Sequence, residues 1–128
     1  MIKAKFKINV GKKVKDYYSV IVFSTKKEME KFFDVGKFEA ITNSFTLATM
    51  KDGKVSRLPL CGVIAFYEDN VTPWAVSHEM THALNHYWKN KEIKFNLGEV
   101  SKDWFEKDEM YATILGYMVE EFYKNYKV

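Results

Sequence analysis

Cysteine is nearly absent from this chain: Cys61 stands alone, so no internal disulfide exists and a packed core must hold the fold. That usage fits a reducing compartment. Arginine is just as sparse, with Arg57 the single one among 20 basic residues, and the lysines are scattered rather than gathered into a patch. A net charge of +3 therefore describes a solvated surface. A nucleic-acid face would gather arginine with exposed aromatics. Also missing is any apolar run of about 18 residues, the length that a membrane-spanning helix needs. The first residues, Met1 to Phe6, alternate charged with apolar side chains and carry no signal-peptide core. Together these absences predict a cytoplasmic protein with neither a membrane nor a nucleic-acid partner.

What the chain does have is core material, since 47% of its 128 residues are hydrophobic and 16% aromatic. That is enough for one compact domain covering residues 1–128. Ile2, Ala4, Phe6, Ile8 and Val10 alternate with Lys3, Lys5, Lys7 and Asn9, the period of a half-buried strand. Tyr17 to Ser24 is denser in apolar residues and reads as a more central strand. Thr25 with Glu28 has capping-box spacing and opens a short helix through Met29, Phe32 and Phe33 that stops near Gly36. Phe38 to Met50 and Val55 to Leu58 read as strands around an Asp52-Gly53 hairpin turn, and Cys61 to Tyr67 as a further strand. A last helix runs from near Asp103, again with capping-box spacing to Glu106, to about Asn125. The expectation is an α+β fold, an antiparallel sheet packed with two long helices.

The first of those long helices carries the chemistry. Thr72-Pro73 supplies an N-cap and a preorganised first position, and the run from Trp74 to Trp88 contains no glycine or further proline. Positions 76, 80, 83, 84, 87 and 88 form its apolar side. Within it lies His78-Glu79-Met80-Thr81-His82, an H-E-x-x-H arrangement. Imidazoles four residues apart stand about one helical turn from each other on one side, so both can reach a single tetrahedral zinc ion. Glu79, about 100° around the helix from His78, stands beside such an ion, where a carboxylate can take a proton from bound water. His86 lies one turn further on but lacks the glycine turn that would bring in a third histidine, so it reads as a polar contact.

A catalytic zinc needs a third protein ligand and keeps its fourth position for water. Glu109 is the nominated ligand, because Ala112, Thr113 and Gly116 follow it as small residues that would let the last helix come close. Glu99, Glu106, Asp108 and Glu120 are its rivals. An oxyanion donor would come from Tyr67, Tyr87, Tyr111, Tyr117 or His86. Cys61 and the tryptophans Trp74, Trp88 and Trp104 read as core.

His78-Glu79-x-x-His82 followed by Asp108-Glu109-x-x-Ala112 resembles the small gluzincins, in particular the compact single-domain metallopeptidases that bacteriophages encode. The likeness covers residues 71 to 126; the strands before them match only in general character. It implies a zincin-like fold, with His78, His82 and Glu109 as Zn2+ ligands, Glu79 as general base, and a peptide or protein as substrate, added as a strand along the sheet edge expected at Gly62 to Phe66. The chain departs from larger gluzincins at Thr113, where they place an aspartate that orients a zinc histidine. Two other functions use the same motif: a non-enzymatic, zinc-stabilised binding domain, and a zinc hydrolase acting on a non-peptide amide.

Overall fold

The computed structural model describes residues 1–33, 40–90 and 102–126. In chain order the elements are β1 (Ile2–Asn9), β2 (Tyr17–Phe23), α1 (Lys26–Glu30), β3 (Ile41–Ser44), β4 (Ala48–Lys51), β5 (Lys54–Arg57), β6 (Leu60–Tyr67), a single 3-10 turn (Glu68–Asn70), α2 (Pro73–Asn90) and α3 (Lys102–Asn125). Several predicted starts are visible as caps: Glu28 N donates to Thr25 Oγ1 at 3.2 Å, and Ala75 N donates to Thr72 Oγ1 at 3.1 Å. The Asp52-Gly53 turn also forms, with positive φ at both residues (53° and 77°), as a two-residue hairpin of this hand requires. The first short helix ends at Glu30, with Lys31 as its C-cap, so the expected run through Phe32 and Phe33 to near Gly36 is corrected. The strand start at Phe38 and the Asp103–Glu106 cap side chains lie outside what is described.

Four strands form the main sheet in the order β1-β2-β6-β3, and β4-β5 project as a separate two-stranded arm. The expected all-antiparallel sheet is corrected here, because β2 and β6 run parallel while β1–β2 and β3–β6 are antiparallel. After β2 the chain crosses through α1 to the far edge, lays down β3 there, and returns through the β4-β5 arm to fill the gap with β6. The choice of partner is a matter of long-range topology. It also corrects the expected substrate edge: Gly62 to Phe66 is interior, and among the described residues β1 and β3 are the edge strands. The single strand expected over Phe38 to Met50 is interrupted between Ser44 and Ala48, where the arm departs.

Alternation along β2 and β6 sorts the core into two layers. Val20, Val22, Ile64 and Phe66 face α2 and α3, meeting Val76, Met80, Ala83, Leu84, Trp88, Met118 and Phe122, all buried. Ala65 and Phe23 face the other way onto Met29 of α1. Each such large apolar side chain contributes about 1.5–3 kcal/mol by leaving water. Phe122 fixes α3 on the sheet, edge-on to Phe66 at 5.3 Å and to Phe6 at 5.5 Å. No described helix is long and apolar enough to cross a membrane.

Tyr18 ties the sheet to α2 where the site lies. Its hydroxyl donates to the Ala83 carbonyl at 3.1 Å and stands 2.7 Å from Ser44 Oγ on β3. Burial pushes the Tyr18 phenol above its ordinary value of 10.0, and burial does the same to Tyr111. A raised value in the folded state means that stability is fully present below about pH 10 and drains away as pH rises through the folded value. Urea midpoints measured from pH 8 upward should stay level and then fall beyond about pH 10. Tyr18→Phe should lessen that fall.

Candidate metal centre

Helix α2 builds the site by winding its histidines onto one line while its apolar stripe grips the sheet. His78 Nε2 and His82 Nε2 face each other 3.2 Å apart, with the two rings edge to face and their centroids at 4.7 Å. Two nitrogens held about 2.0–2.1 Å from one tetrahedral ion stand roughly 3.3 Å apart, so this pair has the bite that zinc needs. The His78 side chain is 47% exposed, which leaves the shared corner open to solvent.

Glu79 stands behind that corner. It is the one buried charged residue among the described residues, at 5% exposure, and it meets Thr42 of β3. Thr42 Oγ1 lies 2.8 Å from Glu79 Oε1, to which its hydroxyl donates, and 3.2 Å from the Glu79 carbonyl oxygen. The other oxygen, Oε2, is 3.9 Å from His78 Nε2. One carboxylate oxygen is therefore held by the sheet edge and the other is turned toward His78 Nε2. Sequence reading did not single out Thr42. Nothing in a short strand marks which hydroxyl will meet a helix 37 residues away.

Of the expected ligands, the structure brings His78 and His82 together with Glu79 beside them, and it does not bring Glu109. Among the described residues no group of three or more His, Cys, Asp or Glu side chains is placed to hold a metal ion. Tyr111 explains why. Its hydroxyl donates to Asn85 Oδ1 at 2.8 Å and lies 3.4 Å from the Thr81 carbonyl, and its ring packs edge-on against Trp88. That contact turns the stripe of Tyr111, Ile114, Leu115, Met118 and Phe122 inward. Glu109 lies about 160° around the helix from Tyr111, and it is exposed. The small-residue line is corrected as well: Ala112, Thr113 and Gly116 are all exposed and do not form the contact with α2. Asp108 and Glu120 are also exposed, while Glu99 and the Glu106 side chain lie outside the described set.

The oxyanion nominees disperse. Tyr87 OH donates to Asp16 Oδ2 at 2.7 Å, which also receives Arg57 Nη2 at 2.7 Å, so this trio pins the base of the β4-β5 arm to α2. Burial, and then the Asp16 carboxylate, push the Tyr87 phenol upward. Tyr117 lines an open groove with Lys12, Glu120, Glu121 and Lys124. Tyr111 stands between Thr81 and Asn85, the residues that bracket His82. Cys61 is buried, as expected, and Trp88 is core, but Trp74 is 73% exposed and its assignment to the core is corrected.

No protein-family model, curated protein or solved structure matches this chain. The functional reading rests on the site's own chemistry.

Proposed function

We propose that this chain is a zinc-dependent peptidase in which His78 and His82 hold the ion and Glu79 is the general base. The observation that carries the reading is the pair of facing Nε2 atoms at 3.2 Å with Glu79 Oε2 at 3.9 Å from one of them. Zinc held there would lower the pKa of a bound water toward about 7 and polarise a carbonyl. Everything else is done by the chain. Thr42 holds Glu79 Oε1, so Oε2 is the oxygen that takes the proton of the attacking water and passes it to the leaving amine. Strand β3 lies at the sheet edge among the described residues, beside Glu79, and a peptide laid against it as an added strand would bring its scissile bond across the histidine pair.

Glu109 is the proposed third ligand. It lies two positions before Tyr111, about 3 Å of helix rise, with its exposed carboxylate on the far side of α3. Recruiting it requires the start of α3 to turn. Digestion of casein tests the function: zinc-loaded protein should cleave it, 1,10-phenanthroline should stop cleavage, and added zinc should restore it. Casein left intact by the zinc-loaded protein, or cut equally in the presence of chelator, would overturn the assignment.

A further inference from the structure

Trp74 lies in the first turn of α2, one helical turn before His78, and its indole stacks on the His78 imidazole with centroids 4.8 Å apart and planes 14° from parallel. At 73% exposure it contributes nothing to the core, whereas Trp88 in the same helix is 3% exposed. A histidine on a helix surface has a broad, roughly two-fold torsion about its ring bond, so its ligand nitrogen would sweep through many directions. A flat indole against one face removes most of that freedom. The ring plane so fixed is the one in which His78 Nε2 faces His82 Nε2.

We infer that Trp74 is a positioning residue for the metal pair, one that holds His78 ready before the ion arrives and stays stacked on it afterwards. The inference rests on the zinc reading of the site. Loading strengthens the stack, because an imidazole bound to a divalent cation is electron-poor and the indole face is electron-rich. Interactions of this kind at exposed positions change affinity by roughly two- to fivefold. Since Trp74 lies outside the core, replacing it leaves the fold's packing in place.

Two measurements on the full chain test this. In metal-free protein, proton–nitrogen correlation of the imidazoles should show His78 ring protons shifted by the indole, with the shift lost in Trp74→Ala and kept in part in Trp74→Phe. In a titration with Co2+, followed by its visible absorption, Trp74→Ala should bind roughly two- to fivefold more weakly than the parent, and Trp74→Phe should recover most of the loss. Cobalt bound by Trp74→Ala as tightly as by the parent, or an unmoved His78 spectrum, overturns the inference while leaving the zinc reading standing. A parent protein that takes up neither Co2+ nor Zn2+ overturns both.

Discussion

Glu79→Gln is expected to bind zinc as the parent does and to lose peptide cleavage by roughly 10²–10⁴-fold, the usual worth of a positioned general base. Glutamine matches glutamate in shape, and its amide oxygen can still receive the Thr42 hydroxyl that now lies 2.8 Å from Oε1. The local packing of α2 on β3 therefore survives. What disappears is the ability of the second oxygen to accept a proton 3.9 Å from His78 Nε2. The histidine pair itself is untouched, which is why binding and turnover should separate. Calorimetric zinc titration alongside a casein assay makes the comparison. Equal turnover in mutant and parent would mean that Glu79 is not the base. A domain that used zinc only for stability would show no functional loss, since such a site has no task for this carboxylate.

The second large effect is on the scaffold. Gly62 of β6 lies under β3, and a methyl group there would come 2.2 Å from the Asn43 carbonyl oxygen, 2.9 Å from Ser44 Cα and 2.7 Å from the Tyr18 ring. Two of the three obstacles are backbone, so no side-chain rotation relieves them. Gly62→Ala should pry the edge strand from its neighbour at a cost of about 3 kcal/mol, the upper end of ordinary overpacking, and lower the melting temperature by roughly 10 °C. Because Thr42 pairs with Ile64 next to this point, the shift should also loosen its hold on Glu79. Turnover should then fall more than zinc affinity. A thermal melt equal to the parent's would show that β3 does not lie where described.

The parts of this molecule that were readable from sequence are those set by local chemistry. Thr72 and Thr25 cap helices because their hydroxyls meet backbone donors within three residues, and Asp52-Gly53 turns the chain because those residues tolerate positive φ. The apolar stripe of α2 likewise dictates the faces on which His78, Glu79 and His82 stand. Long-range choices were not readable. Alternation describes β6 equally well as an edge or a centre, and only the crossover that places β3 outside it decides. Ala112, Thr113 and Gly116 looked like a packing line, yet Tyr111, Met118 and Phe122 bury far more apolar area and take the inward face of α3 instead. That competition is also what leaves Glu109 facing outward. Thr42 and Trp74 had no signature at all, since each matters only through the residue it touches.

Zinc titration of the parent beside His82→Ala tests the central claim most directly. A paired-imidazole centre predicts one ion bound per parent chain and that binding largely lost when either nitrogen of the 3.2 Å pair is removed. A parent that binds no zinc, or a His82→Ala protein that binds it as tightly as the parent, would contradict it.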